Sequence, residues 1–385
     1  MGPRLLPLLE PGCRPQAGKW YRLAPRGEWP RGRVGHGCLF VPGGPGRVIL
    51  LGGADPAGAF ADAHFVELAP ARPAGAHLWA PAAWSGLRPR YEHATFLSAC
   101  LPPRLWVFGG AHPAGNRSCV QVLDPEIGTW ESPEVTGVPP LPRTFHTSSA
   151  AIGACLYVFG GGDKGAEPVK DQQLHVFDTV ALTWTQPDTH GDPPSPRHGH
   201  VVVAVGTKLF IHGGLAGDIF YDDLFCIDTT DMKWVKITAT GDVPGGRASH
   251  SSAVFKDHLY IFGGIGPDGT LDTTYKYHIE EQKWTLLQFD SPLPAGRLDH
   301  AMCVIPWRAG KNGDTGAVTR EDKAEPTASA GDRADHLCGG QDEKACPEDT
   351  MMHLLLIFGG MDTQAEIYRD CIGWQSCFLC SHVYR

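Results

Sequence analysis

The chain is short of several things, and each shortage excludes something. No uncharged apolar stretch approaches the roughly 18 residues of a membrane-spanning helix. The start, MGPRLLPLLEPG, holds an apolar patch that Pro7 breaks and Glu10 closes, too short for the core of a secretion signal. Met1-Gly2 opens like a myristoylation signal, but Leu6 stands where serine or threonine is needed. A soluble cytoplasmic protein is therefore expected. Cysteine is sparse, 12 in 385 residues, which is far from a disulfide scaffold. Positive charge is in deficit: 33 Lys and Arg face 42 Asp and Glu, a net charge of −9. That balance argues against a nucleic-acid binder that works by neutralising phosphates. Absent too are the phosphate-cradling GxxxxGK(S/T) loop, the GxSxG nucleophile elbow and the zinc-binding HExxH. Nothing in the sequence asks for an enzyme or a cofactor.

What is abundant is turn chemistry. There are 48 glycines and 33 prolines beside a hydrophobic content of 42%, enough for a large core. A Gly-Gly pair ends an apolar run six times, in VILLGG, LWVFGG, LYVFGG, LFIHGG, LYIFGG and LLIFGG, at Gly53, Gly110, Gly161, Gly214, Gly264 and Gly360. Upstream of each stands Arg-x-x-His: Arg33/His36, Arg90/His93, Arg143/His146, Arg197/His200, Arg247/His250 and Arg297/His300. Downstream of the first five comes a tryptophan: Trp79, Trp130, Trp184, Trp234 and Trp284. This is a repeat array, and each unit reads as four short strands with turns between them.

Spacing also indicates how the array ends. Trp130, Trp184, Trp234 and Trp284 each precede the next arginine by 13 residues, and so does Trp20, although no Gly-Gly pair comes before it. The sixth Gly-Gly lacks a tryptophan at the usual distance. Residues around Trp20 are therefore expected to supply the fourth strand of the last unit and close a six-bladed ring without an open edge. The expected organisation is an N-terminal extension over 1–19 and a body over 20–307. An acidic insert at 308–350 between the first two strands of the last unit reads as disordered, with the rest of that unit at 351–374 and a tail at 375–385.

Six copies of Arg-x-x-His point to structural hydrogen bonding, because a catalytic group is normally needed once. His198-Gly199-His200 has some ligand-like character but no acidic or cysteine neighbour in sequence. Cys377-x-x-Cys380, with Cys371 and His382, is a weak metal or redox signal. Cys38, Cys100, Cys155, Cys226 and Cys303 are expected to behave as small buried hydrophobes. No metal is assigned. Strands alternate in direction, so the loop after each Gly-Gly shares a face with the loop entering each Arg-x-x-His. That places Asp55, His112, Asp163, Lys164, Asp218, Asp268 and Asp362 on one rim, together with Tyr91, Glu92, Phe145, His198, Leu298 and Asp299. Carboxylates mixed with aromatics suit a protein partner that carries a basic patch. Each of these can equally be an ordinary turn residue.

The double-Gly and tryptophan pattern at 50–57 residues resembles the kelch repeat, whose arrays form all-β propellers. Longer stretches are similar to a family of Rab-nine GTPase effectors built from kelch motifs. They are RYEHATF, LWVFGGAHPAGNRS, PRTFHTSSAAIG, LFIHGGLAGDIFYDDL, GRLDHAMCVIPW, the acidic insert and LIFGGMDTQAEIYRDCI. The resemblance runs from about Pro11 to Ile372. It implies a protein that binds the GTP-loaded Rab on late endosomes and promotes return of mannose-6-phosphate receptors to the trans-Golgi network. It also implies a phosphoinositide kinase as a further partner and membrane association only through partners. Other kelch propellers are ubiquitin-ligase substrate receptors, but a chain occupied by blades leaves little room for an adaptor-binding helix. Kelch-type copper oxidases and sugar mutarotases are a third class, which bound metal in purified protein would favour. From Gly373 the chain departs from the pattern as GWQSCFLCSHVYR, and a glycine inside the third strand of the last blade is expected to weaken it.

Overall fold

Around every Arg-x-x-His and Gly-Gly pair the chain folds as a four-stranded antiparallel meander, and six meanders form the blades of a β-propeller. The structure, a computed structural model, describes residues 5–43, 46–68, 77–100, 102–144, 150–163, 167–309 and 351–375. In blade 4, Val201–Val205, Lys208–His212, Leu224–Asp228 and Lys233–Ile237 pair in chain order. Leu209 to His212 are all buried because blades cover both faces of this strand, so it reads as a continuous apolar run. The fourth strand lies at the outer edge, and in it Trp234 alone is buried.

Each repeat tryptophan has one job. It lies against the residue that ends the second strand of the preceding blade. Trp184 meets Phe108 with ring centroids 4.8 Å apart, Trp234 meets Phe159 at 5.2 Å, and Trp284 meets His212 at 5.1 Å. Trp79 meets Phe358 at 5.8 Å, across the junction of the last and first blades. Such an indole buries one of the largest apolar areas a side chain can offer, at the place where two sheets need filler.

The ring closes as the spacing indicates. Blade 6 runs Ala301–Arg308, Met351–Phe358, Cys371–Gln375 and then Trp20–Leu23, with Trp20 opposite Trp374 and Leu23 opposite Cys371. Trp20 repeats the inter-blade contact on Phe262 at 5.1 Å. The third strand ends at Gln375, one residue beyond the expected boundary, and its pairing runs unbroken through Gly373. There the ladder continues between Leu356 and Tyr21, and a Cβ would come within 2.6 Å of the Leu355 carbonyl oxygen. Glycine fits a close backbone approach.

The N-terminal extension is also part of blade 6. The Leu9 N–H donates to the Arg22 carbonyl at 3.0 Å and the Arg22 N–H to the Pro7 carbonyl at 2.8 Å. The Trp307 indole donates to the Cys13 carbonyl at 2.8 Å, and Leu9 is buried. Of the five cysteines expected to be buried, Cys303 is; Cys38, Cys100, Cys155 and Cys226 are half-buried. The insert at 310–350 and the tail cysteines Cys377 and Cys380 lie outside the described residues.

Candidate partner-binding face

The upper rim is built on the repeated arginine. Each is at most 2% exposed. Its Nη1 donates to the carbonyl of the first glycine of its own blade, at 2.8 to 3.1 Å, in all six blades. Its Nε donates to the carbonyl two residues earlier. A buried guanidinium needs a counter-charge, and Asp62, Asp171, Asp223 and Asp370 supply one to Arg33, Arg143, Arg197 and Arg297. Burial works to raise the Asp171 carboxyl, but hydrogen bonds from His175 and Arg143 outweigh it and hold it at about 2. Blades 2 and 5 differ. Arg90 meets Gln121 Oε1 at 2.8 Å, and Arg247 meets Thr273 Oγ1 at 3.3 Å with Tyr275 alongside. Burial lowers Arg247 to about 10.

The second glycine of each pair links blades. The N–H groups of Gly53, Gly110, Gly161, Gly214, Gly264 and Gly360 donate to the carbonyls of Arg90, Arg143, Arg197, Arg247, Arg297 and Arg33 at 2.8 to 3.0 Å. The last of these joins blade 6 to blade 1, so the chain of bonds is a closed ring. These glycines have φ of 89° to 108°, where a side chain is strained. A second, inner set of bonds uses the residue before the repeat histidine in the five blades where that residue is described. Glu92 N–H donates to Gly35 at 2.6 Å, Gly35 to Asp299 at 2.9 Å, Asp299 to Ser249 at 3.0 Å and Ser249 to Gly199 at 2.7 Å.

The histidines lie beneath these bonds. His200 Nε2 is 2.8 Å from the Phe159 carbonyl and His300 Nε2 is 3.2 Å from that of Phe262, each in the preceding blade. Burial, then the neighbouring repeat arginine, pushes His36 and His93 down to about 3. They are neutral acceptors or donors of structure, not acid–base groups poised near neutrality. In blade 4 His212 replaces the usual aromatic or leucine, and its Nδ1 is 3.1 Å from His250 Nε2. His146 lies outside the described residues.

Above the arginines stands a set of side chains that the sequence did not single out. Seven or eight residues after the second glycine, Phe60, Arg117, Val169, Tyr221, Leu271 and Tyr368 donate their N–H to that glycine's carbonyl. Phe60, Tyr221 and Tyr368 lie over the buried guanidiniums at 4.4, 4.0 and 4.1 Å and keep one side half-exposed. Only the spacing from Gly-Gly could have found them, and the residue type there varies. Beside Tyr221, Ile219 at the tip of a two-stranded hairpin is 60% exposed.

The expected rim residues divide into groups. Asp218 and Asp268 are exposed at hairpin tips, and Tyr91 and Leu298 are half-buried beside the inner set of bonds. Glu92 is also half-buried, with φ 53°. Asp55, His112 and Asp362 are turned inward on their own loops: Asp55 accepts from Ala57 N–H at 2.8 Å, His112 from Ala114 at 3.1 Å and Asp362 from Gln364 at 2.8 Å. Asp55 also pairs with Arg31. His198 and Asp299 are buried, which corrects their expected place among exposed residues; backbone pairing to Leu215 and Ser249 draws both inward. Phe145 and Lys164 lie outside the described residues. The inner set of bonds brings Glu92 and Asp299 together through Gly35; Asp218, Asp268 and Asp362 stay on separate blades.

Comparison with known proteins agrees with this architecture. The KLHDC2/KLHL20/DRC7 Kelch-repeats domain family matches residues 13–165 and 74–264, and a Kelch motif matches 246–288. Among curated proteins, a Gallus gallus protein named Rab9 effector protein with kelch motifs is 93% identical, over 97% of this chain and 99% of its own. Proteins of the same name from Bos taurus and Homo sapiens are 62% and 58% identical, each over 95% of this chain and 98% of their own.

Proposed function

The chain belongs to the family of Rab9 effector proteins with kelch motifs, and from that premise we propose that it is a non-enzymatic effector of a Rab GTPase. The observation that carries this reading is the match over nearly the whole propeller to relatives named as effectors. The repeated arginines and histidines support the non-catalytic part, since they are spent on backbone carbonyls and blade contacts. The partner is Rab9 loaded with GTP. Switch segments of a GTPase are ordered by contacts to the γ-phosphate. A rim fixed by a closed ring of hydrogen bonds would lose little of its own freedom on meeting that one ordered form.

The downstream role is return of mannose-6-phosphate receptors from late endosomes to the trans-Golgi network. The chain is cytoplasmic and reaches those membranes through partners, a phosphoinositide kinase among them. Calorimetric titration of the purified chain with Rab9 carrying a non-hydrolysable GTP analogue or GDP tests the first step. The expected result is at least about ten-fold tighter binding of the GTP form, about 1.4 kcal/mol. Equal affinity for both forms, or no binding by folded protein, would overturn it.

A further inference from the structure

On the face opposite the Gly-Gly turns, blade 5 departs from a pattern that blades 1, 3 and 4 share. In those three blades the residue that ends the third strand lies across the ladder from the residue that starts the second, and this rung carries a carboxylate. Glu67 faces Arg47 in blade 1, Asp178 faces Cys155 in blade 3, and Asp228 faces Lys208 in blade 4. In blade 5 the rung is His258 opposite His278. A carboxylate stands instead at Asp257, one residue before His258, and it lies between the two rings. Its Oδ1 is 2.7 Å from His258 Nδ1 and its Oδ2 is 3.2 Å from His278 Nε2. The rings stand nearly perpendicular, with centroids 4.7 Å apart. All three donor atoms lie within 4.8 Å of one another, and Glu281 Oε1 is 4.0 Å from His278 Nε2.

We propose that Asp257, His258 and His278 form a binding site for a divalent transition-metal ion, with zinc the best match. Two imidazoles and a carboxylate are the donors zinc prefers, and a tetrahedral site needs donor atoms about 3.3 Å apart, given bonds of about 2.0–2.1 Å. The side chains are reachable from solvent, with 20 to 22% exposure of the two imidazoles, and Glu281 or water completes the shell. The scaffold is fixed: the Ile279 N–H donates to the Asp257 carbonyl at 3.1 Å, which ties the two turns together. Binding has a stated cost. The Glu281 N–H now donates to His278 Nδ1 at 3.2 Å, so the proton on that ring must move from Nε2 to Nδ1 and this bond is exchanged for the metal bond. Lys256 and Lys276 bring positive charge nearby, and Asp257 and Glu281 offset it.

The test is a calorimetric titration of the full chain with zinc chloride, set beside His278→Gln and Asp257→Asn, both exposed enough to leave the fold intact. Thermal unfolding of the metal-free proteins checks that. Zinc taken up by thiols elsewhere in the chain would be common to all three proteins, so the reading is the difference between them. The original chain is expected to bind one more equivalent than either variant, or to bind it about 10- to 100-fold more tightly. Cobalt substitution should show a visible absorption that either variant loses. Equal stoichiometry, affinity and spectra in all three proteins would overturn the proposal, leaving Asp257 as an acceptor for two imidazole N–H groups.

Discussion

Acidification should unfold this propeller well above the pH at which its carboxylates protonate. His36, His93 and His212 are fully buried, and burial first, with the adjacent repeat arginines second, pushes each from 6.5 to about 3. His250 and His300 are driven well below 6.5, by burial first and then by His212 and Arg247 for the one and Arg297 for the other. Above 6.5 these groups are neutral whether the chain is folded or not, and their stability contribution does not vary. Below 6.5 the unfolded chain takes up protons that the folded one refuses, so stability falls steadily until about pH 3. At pH 5.5 each such histidine costs about 1.4 kcal/mol, and the three with values near 3 cost about 4 kcal/mol together. That is a large part of the roughly 5–15 kcal/mol available to a folded domain. Asp62 and Asp171 act in the opposite sense to their burial, being held low by arginine, and they matter only at lower pH. The assay is urea unfolding at pH 7.5 and 5.5, with direct measurement of proton uptake in weak buffer at pH 5.5, where about three protons or more should bind per molecule. His212→Phe, which restores the residue present as Phe108, Phe159, Phe262 and Phe358, should reduce that uptake by about one. Stability unchanged between the two pH values, with no proton uptake, would refute the reasoning.

Further predictions follow from single contacts. Asp223→Asn leaves Arg197 buried without its counter-charge and should cost about 3 kcal/mol in chemical denaturation. Thr273→Asp does the reverse, since Thr273 occupies in blade 5 the place of Asp62, Asp223 and Asp370; it should stabilise by about 1–2 kcal/mol at neutral pH and lose that gain in acid. Gly373→Val drives a side chain into the Leu355 carbonyl and should destabilise by about 1–3 kcal/mol, with amide exchange rising first in Trp20–Leu23. Ile219→Asp should weaken binding to GTP-loaded Rab9 about ten-fold without moving the unfolding midpoint, the behaviour of an exposed anchor.

The sequence carried the architecture because the architecture is made of residues that recur. One tryptophan per blade fills one inter-blade gap, and Trp20 announced the closing strand by keeping the same 13-residue interval to its arginine. The rim was far less legible. Aspartate has the same local sequence preference whether it accepts its own turn's N–H, as Asp362 does, or faces solvent, as Asp218 does. Phe60, Tyr221 and Tyr368 were hidden because blades 2, 3 and 5 put Arg117, Val169 and Leu271 at the equivalent place. Leu9 gave no signal, as its burial depends on a proline-rich segment without periodicity lying along Arg22.

The closed Gly-Gly ring decides what kind of binding surface the rim can be. Every blade contributes one Gly-Gly N–H to its neighbour and accepts one in return, and Gly360 to Arg33 completes the circuit through the last blade. No blade can open without breaking bonds on both of its sides, and the arginine that accepts one of those bonds also fixes the first glycine of its own blade. Side chains seated on this lattice, such as Tyr221 over Arg197 and Tyr368 over Arg297, therefore hold their positions before a partner arrives. On the function proposed above, a GTPase with the right shape in only one nucleotide state would supply the switching, and the propeller the fixed half of the interface.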